Sequence, residues 1–319
     1  MDLVERRSFL VGVLLGVMGG RNKGTGKVPS GDAATPPAPL QKKGTRGGTR
    51  LLEWTLSLNK MKGAAAVILP DRIPPGVRLP VLIALHGQAE ALKGMKRGIR
   101  GWPDDYALRR AICRIANPPL TCSDFEGWVD KPYLDMLNAN LHKKPFGGLI
   151  VACPYVPNFD LTQWVDVDNY ARLLLDVLLP RIYRETPTIP SPASTGIDGV
   201  SLGGAVALRI GLKHPRHFGA VGALQPAVSS QEIQQWVKLA SGARRQSPSL
   251  LLRIVTSQKD FFREPVNSLS QAWTANHIAH TFYQFPGPHD YSFNRGPGAI
   301  ELLTWHDQAL RPPEVKDRG

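Results

Sequence analysis

The sequence predicts an α/β fold built on one mostly parallel central sheet, with helices on both faces and a helical insertion over one edge. Three features carry that expectation. From Gly148 onward, short apolar runs alternate with amphipathic ones, the pattern of parallel strands joined by crossover helices. Val81-Leu82-Ile83-Ala84-Leu85 is continuously apolar, as a strand covered on both faces must be. Between Ala193 and Leu212 a strand-like run meets a helix-like run at Gly199-Val200-Ser201-Leu202-Gly203.

Taken in order, Leu52, Trp54, Leu56 and Leu58 alternate with Glu53, Thr55 and Ser57, the period of a half-buried strand. Residues 64–69 give a second strand and the Pro-rich 70–80 its connection to the run at 81–85. That third strand ends in His86-Gly87-Gln88, where Gly87 lets the chain turn and His86 serves to order the loop. Residues 89–145 read as the insertion, with helices over 105–115 and 128–141 separated by Asn117-Pro118-Pro119. Lys93, Lys96, Arg97 and Arg100 form a basic, solvated loop within it. Cys113 and Cys122 flank the Pro-Pro turn and could form a disulfide after export, and Cys153 ends a strand as a small core residue. Strands follow at 148–153, 218–224, 249–256 and 281–285, and helices at 167–184, 205–212, 231–239, 265–277 and 299–309.

The chain has 319 residues, 42% of them hydrophobic, enough to build a sizeable core. Its net charge of +13 is unevenly spread: nine of the 39 Lys/Arg, against Asp2, Glu5 and Asp32, fall in residues 1–50. No basic stripe interleaved with aromatics appears, which argues against a nucleic-acid partner. Glu5-Arg6-Arg7-Ser8-Phe9-Leu10, followed by a short apolar run over 11–18, resembles a twin-arginine export signal. The run is too short for a membrane span, which takes about 20 residues. The resemblance implies export to the periplasm or the cell exterior, with membrane contact only in transit. The expected organisation is a signal segment at 1–20, a Gly/Pro-rich flexible tether at 21–49, one folded domain at 50–311 with its insertion at 89–145, and a tail at 312–319.

Gly199-Val200-Ser201-Leu202-Gly203 fits G-x-S-x-G, a turn that lifts a serine off a strand end in a strained conformation. A serine hydroxyl attacks only when a base takes its proton and an acid orients that base. On such a sheet the chain order is Ser, acid, His. Asp260 follows the strand at 249–256, and His289 follows the last strand within Pro286-Gly287-Pro288-His289-Asp290-Tyr291. Glu264 is the rival acid; Asp290 is too near His289 in sequence to orient it. With Gly87 turning the chain, the Gln88 backbone N–H can point at a developing oxyanion. The insertion is expected to sit over the active-site mouth, so its Trp102, Trp128 and Tyr133, with Trp164 beyond it, are the candidate pocket aromatics; packing inside the insertion is the alternative.

The stretch 196–204, His214-Pro215 with Phe218-Gly219-Ala220-Val221, and Gly287-Pro288-His289-Asp290-Tyr291 together resemble the putative-esterase (esterase D-like) family of α/β-hydrolases. Leu179-Pro180-Arg181-Ile182 is similar to that family's segment too, and the resemblance spans about 51–310. It implies the α/β-hydrolase fold, Ser201 as nucleophile, His289 as base, Asp260 as acid and the Leu202 N–H in an oxyanion hole. The expected reaction is cleavage of a carboxylic ester, in a small molecule or a polymer, through an acyl-enzyme. It calls for no metal and no organic cofactor. An acyltransferase or an exported peptidase using the same triad, and a non-catalytic binding protein on the same scaffold, remain open on the residues alone.

Overall fold

The computed structural model describes residues 47–311; the expected signal segment, nearly all of the tether and the tail lie outside them. Eight strands form one sheet in the order β1-β2-β4-β3-β5-β6-β7-β8. β1 (Thr49–Leu58) and β2 (Met61–Pro70) are an antiparallel hairpin turned at Asn59, whose φ of +53° is a left-handed conformation asparagine tolerates. β3 (Val81–Leu85) is followed by the short α1 (Gln88–Leu92), then by the insertion helices α2 (Leu108–Ile115) and α3 (Lys131–Lys143). β4 (Ile150–Pro154) is antiparallel to β2 and parallel to β3.

From there strand and helix alternate. α4 (Trp164–Arg172) continues through a π-helical stretch at Leu173–Leu178 to Glu185, and β5 (Thr195–Gly199) leads into α5 (Leu202–Lys213). β6 (Ala220–Leu224), α6 (Ile233–Gln246), β7 (Leu251–Lys259), α7 (Arg263–Ala275), β8 (Thr281–Pro288) and α8 (Ala299–Leu310) complete the domain. β3, β5, β6, β7 and β8 pair in parallel, so their carboxyl ends share one edge.

Two cores flank the sheet, and the third strand shows why its sequence is apolar throughout. Val81, Ile83 and Leu85 belong to one core, whereas Leu82 and Ala84 belong to the other, following the two-residue pleat. The first core is closed by α4 to α7, with Val206, Trp236 and Trp273 fully or nearly buried. The second is closed by α8 together with the insertion, through Ile112, Ile115, Leu137 and Leu141. The insertion therefore spends most of its apolar surface on a face of the sheet; only parts of it reach the carboxyl edge. Its first helix begins later than the sequence suggests, because Gly101–Asp105 takes a π-helical turn and Ala107 a left-handed conformation. Its last helix starts at Lys131, where Asp130 accepts the Tyr133 N–H. No disulfide joins Cys113 to Cys122, and Cys153 is buried in the second core.

Charge crosses the second core. Arg253 on β7 bonds Asp198 on β5 at 3.2 Å and Glu301 on α8 at 3.1 Å, and His306 on α8 bonds Asp198 at 3.0 Å. All four side chains are buried. Desolvation raises the Glu301 carboxyl and lowers the His306 imidazole from their ordinary pKa values. Removing the guanidinium takes the shared cation from two buried carboxyl groups, which costs more than the pair contributes when intact. Arg253→Met is expected to lower the unfolding free energy by about 3 kcal/mol, read from urea denaturation midpoints with an unchanged slope.

Candidate active site

Ser201 stands between β5 and α5 with φ +57° and ψ −120°, a conformation L-residues rarely adopt. Holding it costs about 1–3 kcal/mol, so the surroundings must over-determine it. They do so on both sides. The Ser201 N–H donates to the Leu224 carbonyl at 3.0 Å, and the Ser201 carbonyl accepts from Ala205 and Ala227 at 3.1 and 3.0 Å. Both glycines of the turn answer to close approach. A Cβ on Gly199 would lie 2.4 Å from the Gly203 oxygen, and one on Gly203 would lie 2.4 Å from the His86 oxygen.

That second contact brings the end of β3 against the start of α5. A Cβ placed on Gly87 would lie 3.6 Å from the Ser201 Cβ, so the 86–88 turn runs beside the serine. His86 orders this turn, as its place in the sequence suggests. Its Nε2 accepts the Val156 N–H at 2.9 Å, which puts the ring proton on Nδ1, and Nδ1–H donates to the Gly87 carbonyl at 2.9 Å. The Gly87 carbonyl also accepts from Ala91 at 3.3 Å. In a trans peptide the Gln88 N–H points opposite to that anchored carbonyl. Leu202, first residue of α5, carries one of the open N–H groups of a helix start, at its positive end.

The acid and the imidazole meet. His289 Nδ1 lies 2.7 Å from Asp260 Oδ1, with the Asp260 side chain fully buried and the His289 side chain 10% exposed. Asp260 is itself fixed by the Phe262 N–H at 2.9 Å on Oδ1 and the Thr256 hydroxyl at 2.7 Å on Oδ2. Glu264 is engaged instead by Arg263 on the surface, and Asp290 caps the turn at Ser292 and Phe293. Ser201, Asp260 and His289 follow β5, β7 and β8, so all three leave the sheet at its carboxyl edge. Phe261 stacks on the His289 ring at 4.0 Å while remaining 60% exposed, an aromatic surface beside the imidazole.

One buried residue at this edge escapes sequence reasoning. Gln225 follows β6 with φ +44°, and its N–H donates to the Val255 carbonyl. Its Nε2 donates to the Ser257 hydroxyl at 2.7 Å and to the Pro288 carbonyl at 2.9 Å. It thus joins the ends of β6, β7 and β8 directly behind His289. The available signal was a glutamine closing an apolar strand ahead of a proline.

The candidate aromatics divide. Trp102 is wholly buried in the second core, its indole N–H donating to the Leu85 carbonyl at 3.0 Å, so the expectation of a pocket residue is corrected. Tyr133 is likewise a packing residue: its hydroxyl donates to Glu301, and its ring lies 4.5 Å from Tyr283 and 5.0 Å from Phe285. Both lose to the same competitor, the sheet face the insertion has to cover. Trp128 packs against Gly287 and donates to Ser292 at 2.9 Å, beside the His289 loop. Trp164 bonds Glu232 at 3.1 Å and meets Trp236 edge-on, half-buried between the loops after β4 and β6.

Comparison with known proteins agrees with this architecture. A family model described as putative esterase matches residues 160–293. A ferulic acid esterase superposes with a TM-score of 0.59 at 16% identity, covering 82% of this chain and 99% of its own. S-formylglutathione hydrolase from Staphylococcus aureus superposes at 0.56 with 16% identity, covering 81% and 99%. The feruloyl esterase module from Clostridium thermocellum, complexed with sinapinate, superposes at 0.58 with 13% identity, covering 84% and 91%. No curated protein sequence matches the chain. The fold is that of the α/β-hydrolases.

Burial makes the turn at His86 sensitive to acid. The imidazole pKa falls from 6.5 to about 4, chiefly because the charged form would be desolvated. Between those values the unfolded chain binds a proton that the folded chain refuses, so stability falls as pH drops through that window. The loss from this one group is expected to reach about 3 kcal/mol by pH 4. Urea midpoints measured from pH 7 to pH 4 should fall less steeply for His86→Asn than for the wild type.

Proposed function

With residues 160–293 matching the putative-esterase family on an α/β-hydrolase fold, we propose that the protein is a serine esterase that cleaves carboxylic esters through a Ser201–His289–Asp260 triad. The observation that carries this reading is the 2.7 Å contact between His289 Nδ1 and a buried Asp260, at the edge where Ser201 sits in its strained turn. With Nδ1–H donated to Asp260, the imidazole keeps Nε2 free of a proton and able to act as base.

Ser201 Oγ attacks the ester carbonyl as His289 Nε2 takes its proton. The carbonyl oxygen gains negative charge and lies against the N–H groups of Leu202 and Gln88. His289 then gives the proton to the departing alcohol, leaving the acyl group on Ser201. Water, deprotonated by the same imidazole, attacks that acyl-enzyme and restores the hydroxyl. Asp260 accepts from Nδ1–H throughout and steadies the imidazolium. The acyl portion would lie against the aromatic groups of the carboxyl edge, with Phe261, Trp128 and Trp164 as the residues to vary. Ferulate- and sinapinate-type esters are natural first substrates, because solved neighbours of the same fold are ferulic acid esterases and one holds sinapinate. Export in the folded state is part of the same proposal, supported by Arg6-Arg7-Ser8-Phe9-Leu10.

Hydrolysis of p-nitrophenyl and hydroxycinnamoyl esters should fall at least 10³-fold in kcat for Ser201→Ala and for His289→Ala, and about 10³- to 10⁴-fold for Asp260→Asn. KM and thermal midpoints should change little. Added alcohols that divert the acyl group from water would recast the enzyme as a transferase. Full activity in Ser201→Ala would overturn the triad.

A further inference from the structure

Glu90 is fully buried, lies in the first helix after the oxyanion turn, and has no part in the chemistry described above. Its carboxyl oxygens collect three donors. Oε1 accepts the Tyr291 hydroxyl at 2.6 Å and the Lys93 ammonium at 3.2 Å, and Oε2 accepts the Tyr106 hydroxyl. The Tyr106 oxygen in turn accepts the Gly87 N–H at 3.2 Å. Lys93 also bonds the Tyr291 oxygen at 3.0 Å and Asp105 at 2.7 Å. A chain of hydrogen bonds therefore runs from the amide just before the Gln88 donor, through Tyr106 and Glu90, to a residue two places beyond His289.

From this arrangement we propose that Glu90, with Tyr106 and Tyr291, is a positioning bracket that locks the oxyanion turn at Gly87-Gln88 to the loop carrying His289. The inference rests on the esterase reading for its effect on rate. Two peptide planes define the direction of the Gln88 N–H. His86 holds the one between Gly87 and Gln88 from its carbonyl side, and Tyr106 holds the preceding one from its N–H side. Without the Tyr106 oxygen, the Gly87 N–H loses its acceptor in a buried setting and the turn can relax toward another. Glu90 fixes that oxygen, because the carboxyl oxygen that accepts the Tyr106 hydroxyl orients it and leaves its lone pair facing Gly87. Linking the same carboxylate to Tyr291 makes the oxyanion turn and the base loop shift together or not at all. Tyr106 and Tyr291 also pack ring to ring at 5.7 Å, so the bracket has an apolar side.

Tyr106→Phe tests this, since it removes one hydroxyl and keeps the ring against Trp102 and Tyr291. Two readouts are needed: ester kinetics, and hydrogen exchange at the Gly87 amide. The bracket requires kcat to fall about tenfold or more with KM within about twofold, because a misaimed donor weakens only transition-state binding. It also requires Gly87 exchange to accelerate about tenfold. Tyr291→Phe, at a more exposed site, should speed Gly87 exchange in the same direction and serves should the first variant not fold. Wild-type kcat in Tyr106→Phe would overturn the proposal, whether or not exchange changes. Should the wild type hydrolyse no ester and Ser201→Ala make no difference, the esterase reading fails. Exchange at Gly87 then decides the bracket alone: unchanged exchange overturns it.

Discussion

The carboxyl edge depends on one backbone approach, that of Gly203 to the oxygens of Leu85 and His86. A Cβ on that glycine would fall 2.4–2.5 Å from both, so β3 and α5 are in contact with no side chain between them. The approach sets the serine turn and the 86–88 turn side by side, and neither can be repositioned without the other. Ser201 accepts an unfavourable φ in return for this proximity. The strain is held by three backbone hydrogen bonds: to the end of β6, to the first turn of α5 and to the loop after β6. A serine held this way is pre-oriented by packed backbone, which moves less than a side-chain rotamer does.

Around that contact the molecule repeats one device, a buried polar group tying two strand ends. Gln225 joins β7 and β8 behind the imidazole, Asp260 holds the imidazole itself, and His86 holds the turn after β3. Deeper in the second core, Arg253 ties β5, β7 and α8 through Asp198 and Glu301. Such groups cost desolvation and contribute less to stability than apolar packing would. What they add here is register: each links neighbouring elements through hydrogen bonds that fix where a strand end lies.

Much of this was legible in the residues. The all-apolar third strand, the turn at Ser201 and the strand-end locations of Asp260 and His289 each follow from a local rule, and the sheet then assembles them. The insertion was harder to read, because its apolar residues serve a face of the sheet that no short-range pattern reveals. Trp102 and Tyr133 sat in a segment expected at the mouth, and tertiary packing drew both inward. Gln225, Glu90 and Arg253 share a different difficulty. A lone polar residue in an apolar stretch announces that it must find a partner, but its partners lie as many as 201 residues away. Spacing along the chain carries no trace of them.

The central claim is that one hydroxyl, activated by one imidazole, is the reactive group. Treating the protein with a fluorophosphonate and mapping the adduct by peptide mass spectrometry tests it most directly. The account predicts a single phosphonylated site in the wild type, on the peptide holding Ser201, and labelling slowed by orders of magnitude in His289→Ala. An adduct on any other residue, or equal labelling of Ser201 with the imidazole removed, would contradict it.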